Sequence, residues 1–167
     1  MPQLLAYRRE NADYFEPFEP TRSADHLSED YWLRQVATHR AEFEAGQAVR
    51  MVLFEPGPSA PVLGIVAFSN IIRGPLQACF LGYALAERRQ GKGLMTEAIR
   101  LGIDYMFGEM HLHRISANYL PHNTASAAVL KRLGFTVEGY ARDYVQIDGR
   151  WQDHILTSLI NPDRSPP

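Results

Sequence analysis

Arg88-Arg89-Gln90-Gly91-Lys92-Gly93-Leu94 is the stretch that decides the fold, because it stands between a strand-like segment and the strongest helical pattern in the chain. Two glycines one residue apart let the backbone bend tightly. A helix starting immediately afterwards points its first amides, and the positive end of its dipole, back at the loop. Such a loop can cradle a phosphate. Its spacing is neither that of the Walker loop ending in Lys-Ser/Thr nor that of the three-glycine dinucleotide fingerprint, so nucleotide triphosphatase and dehydrogenase readings fail. Taken alone, the same residues also suit a plain glycine-rich helix start with a solvated charge cluster.

Working outward, Leu94, Ala98, Leu101 and Tyr105 recur at helical spacing, and Met95, Ile99 and Met106 widen the apolar stripe to about Phe107. Arg114 to Tyr119 alternates as a strand, with Ile115, Ala117 and Tyr119 on one face. A second helix is expected over 124–133, stopped by Gly134. Strands near 136–147 and 151–159 follow, joined by Asp148-Gly149, a type I′ hairpin signal. Upstream, the runs 48–54, 62–72 and 76–85 are rich in Val, Ile, Leu and Phe. Pro56-Gly57-Pro58 and Gly74-Pro75 separate them, which predicts an antiparallel meander. Before Arg50 the pattern gives two helical pieces around an aromatic-proline loop. The second runs over 28–45, with Ser28 as its cap and Tyr31, Trp32, Gln35, Val36 and Phe43 near one side. The result is an α/β arrangement around a mixed sheet.

Composition narrows the function classes. The 167 residues, 46% of them hydrophobic, suffice for one core. With 17 Lys plus Arg against 19 Asp plus Glu the net charge is -2, which disfavours nucleic-acid and membrane-surface partners. Cys79 is the single cysteine and has no disulfide partner within the chain. No targeting or membrane-spanning pattern is present, so a cytoplasmic address is expected. Cys79 lies mid-strand and reads as structural. His111 and His113 are two apart, but no third ligand is nearby, and they read as solvated or capping residues, with no metal expected.

The loop resembles the acetyl-CoA pyrophosphate loop of the GCN5-related N-acetyltransferases (GNAT), whose Arg/Gln-x-x-Gly-x-Gly/Ala pattern is filled by Arg88, Gly91 and Gly93. His113-Arg114-Ile115 and the segment from Asn123 to Leu133-Gly134-Phe135 resemble a second block of that family. The likeness sharpens to the RimJ/RimL branch, the ribosomal protein alanine N-acetyltransferases, and most nearly the RimJ type. It is carried by Phe68-Ser69-Asn70-Ile71-Ile72-Arg73-Gly74, Leu81-Gly82-Tyr83, Ala117-Asn118-Tyr119-Leu120-Pro121-His122-Asn123 and Asp148-Gly149-Arg150-Trp151-Gln152-Asp153-His154. It implies one GNAT domain over residues 1–162, with a mixed, mostly antiparallel sheet flanked by helices, and a disordered tail over 163–167. The family's first strand is missing, which leaves either a shortened chain or an uncovered sheet edge, and such an edge invites pairing with another chain. A monomer or a homodimer is expected.

The resemblance implies acetyl-CoA as cosubstrate, bound by Arg88, Arg89, Gln90, Gly91, Lys92, Gly93 and Leu94, by strand amides near Tyr83, Ala84 and Leu85, and by Asn123 and Ser126. The acceptor would be a protein N-terminus, in particular that of a ribosomal protein. An α-amine titrates near 8, against about 10.4 for lysine, so it needs only modest help to lose its proton. The usual family acid, a tyrosine seven residues after the Asn, is replaced by Leu130. Ser126 is the candidate that the branch implies instead, or else an ordinary helix hydroxyl touching the cosubstrate. Phe15, Phe18 and Trp32 line the acceptor pocket or belong to the core. Tyr119 and Asp153 are the candidates for handling the amine, while Asp153 and His154 could bind the incoming ammonium or only fix a hairpin. Two other readings stay open at this level: acetylation of a small amine, and a non-catalytic acyl-CoA-binding module.

Overall fold

The computed structural model describes residues 2–163. Of the expected tail, all but Asp163 lies outside the described residues. The helices are α1 (Pro2–Glu10), α2 (Ala12–Phe15), α3 (Glu29–Glu44), α4 (Leu94–Gly108) and α5 (Thr124–Arg132). The strands are β1 (Val49–Phe54), β2 (Val62–Ile72), β3 (Ala78–Leu85), β4 (Arg114–Tyr119), β5 (Thr136–Ile147) and β6 (Arg150–Ile160). They form one sheet in the order β1-β2-β3-β4-β6-β5, antiparallel except for the β3–β4 pair. Among the described residues no strand precedes α1, and β1 is an edge strand with Val52 and Phe54 exposed.

Local signals set most element ends. Ser28 caps α3 by accepting a hydrogen bond from the Tyr31 amide at 3.2 Å. Asn123 caps α5 in the same way, its Oδ1 taking the Ser126 amide at 3.0 Å. Asp148 and Gly149 both have positive φ, 46° and 69°, as the expected two-residue hairpin requires.

The main core lies between the sheet and the pair α4 and α5, where Val66, Phe68, Cys79, Ile115, Ile99, Met106 and Leu130 are closed off from water. Each such side chain contributes about 1.5–3 kcal/mol of burial free energy. On the opposite face, Tyr7, Phe15 and Val62 make a smaller cluster under α1 and α2.

Two helices bury a different face from the one their spacing predicts. The buried face of α4 is centred on Met95, Ile99, Gly102, Ile103 and Met106, and Leu101 is 65% exposed. The stripe is therefore rotated from the expected one, because Gly102 lets the helix lie against the Phe68 ring. On α3 only Trp32 is buried, while Leu33, Val36 and Phe43 face outward. That helix packs mainly against α1 and the edge strand β1, too little surface to cover an apolar face.

A Cβ on Gly102 would stand 2.5 Å and 2.7 Å from two ring atoms of Phe68, which is fully buried and has nowhere to move. Overpacking of this kind costs about 1–3 kcal/mol, more than the ~1 kcal/mol that alanine gains over glycine in a helix. Gly102→Ala should lower the urea midpoint, and Leu101→Ala should leave stability within about 0.5 kcal/mol. A Gly102→Ala protein as stable as wild type would contradict this packing.

Candidate active site

β3 and β4 pair only at Ala78–Arg114, Cys79–Ile115 and Phe80–Ser116. Beyond that point both strands continue without each other, β3 to Leu85 beside β2 and β4 to Tyr119 beside β6. The parting opens a cleft of about 1080 Å³ through the sheet. A parallel pair can separate in this way because each strand keeps its other neighbour, so only the facing edges lose backbone partners.

One end of the cleft is the glycine loop. Gly91 and Gly93 have φ of 73° and 77°, and Gly93 occupies the N-cap of α4 with no side-chain cap. The first intrahelical bond runs from the Glu97 amide to the Gly93 carbonyl, which leaves the preceding amides of α4 available to a ligand. A Cβ on either glycine would meet no protein atom within 4 Å, so the space beside the loop is open. Unfilled amides, open space and the helix dipole together suit an anionic group such as a pyrophosphate. Gln90, Gly91, Gly93 and Leu94 line the cleft. Gln90 also donates to the Tyr14 hydroxyl, which ties the loop to α2. Arg88, Arg89 and Lys92 are not on the cleft wall, and Arg89 is paired with Glu55 at 2.5 Å. Arg100 of α4 and Arg132 of α5 line the cleft as well. Sequence reasoning missed both, although Gly93, Glu97 and Arg100 share a helix face at i, i+4 and i+7.

At the middle of the cleft Tyr83 of β3 meets Ser126 of α5. Their hydroxyls are 2.7 Å apart, and the Tyr83 hydroxyl also lies 3.3 Å from the Ser126 carbonyl. When Tyr83 donates to the Ser126 Oγ, the serine proton is free to point into the cleft. Burial pushes the Tyr83 phenol up to about 12, against a smaller lowering by the Ser126 contact. Ala84 and Leu85 line the same wall, and the Ala84 carbonyl accepts from the Tyr7 hydroxyl at 3.0 Å. The Asn123 Oδ1 is used in capping α5, which leaves its amide NH₂ as a donor. Leu130 is buried in the core, away from the cleft wall.

Away from the loop the cleft is lined by Phe15, Phe18, Tyr119, Arg8, Glu19 and Arg22, with Tyr14 reaching from α2 to Gln90. Arg8 is buried, with its guanidinium 5.5–5.8 Å from the rings of Tyr7, Phe15 and Trp32. It holds Glu19 through both carboxylate oxygens, at 2.8 Å and 3.1 Å, while Arg22 takes Oε2 at 2.7 Å. Burial alone would raise the Glu19 carboxyl, but Arg8 and Arg22 outweigh it and hold the group below its ordinary range. Trp32 does not reach the cleft. Its indole donates to the His26 carbonyl at 2.9 Å and its ring supports Arg8.

The structure also does not bring Asp153 to the cleft. Its carboxylate accepts from the Tyr140 hydroxyl and, at 2.9 Å, from the Asp143 amide, bracing the bulge between Ala141 and Val145 where Asp143 has φ of 48°. Those bonds, the tyrosine's first, hold the Asp153 carboxyl below its usual range. The adjacent His154 does line the cleft. Cys79 is fully buried, and burial pushes its thiol up to about 12, so it stays protonated and structural. Among the described residues no group of three or more His, Cys, Asp or Glu side chains could hold a metal ion, and no helix is long and apolar enough to cross a membrane.

A glycine loop at the head of a helix, at one end of a cleft between two separating parallel strands, defines an acyltransferase of the GNAT type, and residues 2–136 match the acetyltransferase (GNAT) domain. The chain belongs to that family. It is 43% identical over 164 residues to the [ribosomal protein uS5]-alanine N-acetyltransferase of Escherichia coli (strain K12), covering 98% of this chain and 84% of that protein. The crystal structure of the ribosomal-protein-S5-alanine acetyltransferase of Vibrio fischeri superposes with a TM-score of 0.94 at 38% identity, covering 98% of this chain and 89% of that one. The structure of Mycobacterium smegmatis RimJ in complex with CoA-disulfide superposes with a TM-score of 0.89 at 31% identity, covering 97% and 78%.

The buried phenol makes a prediction about alkaline pH. An unfolded tyrosine titrates near 10, whereas Tyr83 in the fold keeps its proton to about 12. A raised folded value favours the fold below the unfolded pKa, and that contribution is lost as pH rises from about 10 towards 12. NMR of ring-labelled tyrosine should show Tyr83 still neutral at about pH 11. Ionisation of Tyr83 near 10 would contradict the closed Tyr83–Ser126 contact.

Proposed function

We propose that the chain transfers the acetyl group of acetyl-CoA to the N-terminal α-amine of a protein, a ribosomal protein beginning with alanine or a similarly small residue. The observation that carries this reading is the continuity of the cleft. One space runs from the left-handed glycine loop, between the parted strands, to the aromatic end at Phe15 and Phe18. It has room for an anionic, extended cosubstrate at the loop and an acceptor chain at the far end. The acceptor class is supported by the relatives named for alanine N-acetylation of ribosomal protein uS5.

Acetyl-CoA supplies the activated thioester, and the residues of the chain orient it. The amides from Gly91 to Met95 take the pyrophosphate, with Arg88 and Lys92 adding positive charge near the loop and Arg100 and Arg132 on the cleft wall. Arg89 acts at one remove by fixing the loop to Glu55. The Asn123 amide donates to the pantetheine arm. Backbone amides on the free edge of β3, near Tyr83, Ala84 and Leu85, receive the negative charge that develops on the thioester oxygen. Ser126, held by Tyr83, donates to the departing thiolate. Phe15 and Phe18 enclose the first side chain of the acceptor beside Tyr119, and Trp32 supports Phe15 through Arg8.

Thiol release from acetyl-CoA with peptides that differ only in their first residue tests the reading. Alanine and serine starts should react faster than a tryptophan start. Equal rates, or activity confined to free small amines, would overturn the protein acceptor. Loss of a hydrogen bond to a charged group is worth about 1.5–3 kcal/mol, so Ser126→Ala should lower kcat by roughly 10- to 100-fold while acetyl-CoA affinity changes little. A Ser126→Ala enzyme with wild-type kcat would remove that role, and a Gly91→Val enzyme with wild-type acetyl-CoA affinity would remove the loop from the binding site.

A further inference from the structure

We propose that His154 is the base of this reaction, and that its Nε2 takes the proton of the acceptor's ammonium group to release the attacking amine. The proposal rests on the amine-acetylating reading above and names the residue that makes the acceptor reactive.

Successive side chains on a strand point to opposite faces, so Asp153 and His154 cannot serve the same side of the sheet. Asp153 is committed to the β5 bulge, and His154 is the one on the cleft wall. His154 is only 6% exposed, and its Nδ1 lies 3.0 Å from the Gln152 carbonyl oxygen. A carbonyl only accepts, so Nδ1 carries the hydrogen and the neutral ring has its lone pair on Nε2. Within the described residues Nε2 has no hydrogen-bond partner, yet it is not sealed from solvent. What exposure the ring keeps therefore includes the basic atom. The ring is steadied by Tyr144 at 5.7 Å, whose hydroxyl accepts from the Asn118 amide at 3.3 Å. A buried, tautomer-fixed imidazole with a free Nε2 beside a substrate cleft is the arrangement that general base catalysis needs.

Most of the other titratable groups around this space are bonded to other partners or stand at its loop end. Tyr144 of β5 lies against the ring, and Asp153, the neighbour on β6, is bonded to Tyr140 and the Asp143 amide, with Arg142 close enough to act on its charge. Tyr119 of β4 shares the wall, and the Glu19 carboxylate is spent on Arg8 and Arg22. Tyr83 holds its proton to about 12, and Glu97 belongs to the first turn of α4 at the loop end. Of the three protons on the ammonium, one passes to Nε2 and on to solvent, one is taken up by the departing thiolate, and one stays on the amide. The amine lone pair forms the N–C bond as the C–S bond breaks.

The test compares an alanine-headed peptide with the same peptide carrying an aminooxy group in place of the α-amine, which is already neutral at about pH 7, where the α-amine is mostly charged. His154→Gln should lower kcat/KM for the amine by roughly 10²- to 10⁴-fold. It should lower kcat/KM for the aminooxy peptide by less than about tenfold, with acetyl-CoA affinity unchanged. Equal losses on both acceptors, or no loss on the amine, would overturn the assignment. A wild-type protein that acetylates neither peptide would reject the parent function and the base with it. A measurement on the unaltered protein does not depend on how the variant folds: ¹⁵N NMR of the imidazole should show the Nδ1–H tautomer for His154, and the Nε2–H tautomer would refute the proposal.

Discussion

The parting of β3 from β4 after Phe80 and Ser116 is the constraint on which the rest of the structure depends. Three residue pairs hold the two halves of the sheet in register, and everything beyond them is pulled to opposite sides, β3 by β2 and β4 by β6. Backbone edges freed in this way must be satisfied by solvent or by a ligand. The flanking elements place their polar groups around that gap: α4 brings the unfilled amides of its first turn, and α5 brings Asn123 and Ser126 from one end of a capped helix. The core under α4 and α5 holds these helix ends in place, so the geometry of the cleft depends on the packing of Phe68, Ile99 and Met106.

Charge is arranged differently at the two ends. The loop end offers neutral amides and a helix dipole, with Arg100 and Arg132 on the wall. The far end carries a carboxylate locked between two arginines. Burying Arg8 among three aromatic rings is tolerable because Glu19 compensates its charge, and removing one partner of such a pair typically costs about 3–5 kcal/mol. The cluster therefore acts as a wall that fixes Phe15, and it has no spare charge with which to attract a cationic acceptor. That is consistent with recognition by fit around the first side chain.

Much of this was legible in the sequence, for a physical reason. The Ser28 cap, the turn glycines, the Asp148-Gly149 hairpin and the alternation of β4 are encoded within a few residues, and β4 and β5 were expected over the ranges observed. The glycine loop was singled out by local spacing and by resemblance together, Ser126 by resemblance alone, and both line the cleft. What failed depends on contacts distant in sequence. Leu101 and Ile103 are equally apolar, and only the position of the Phe68 ring decides which of them is buried. Asp153 and His154 are adjacent, and a shift of one residue in strand register exchanges their faces. The register that pairs Ala141 with His154 is set by the β5 bulge, which no local pattern announces. Trp32 looked like a pocket residue because an aromatic near Phe15 and Phe18 in sequence need not reach the same surface.

A crystal structure of the protein with coenzyme A bound would show whether the gap between β3 and β4 holds the cosubstrate. The pyrophosphate should lie on the amides from Gly91 to Met95 and the pantetheine arm between β3 and β4, with the sulfur within hydrogen-bonding reach of the Ser126 hydroxyl. Coenzyme A bound elsewhere, or a β3–β4 gap closed by direct strand pairing while the ligand lies on the surface, would contradict this placement.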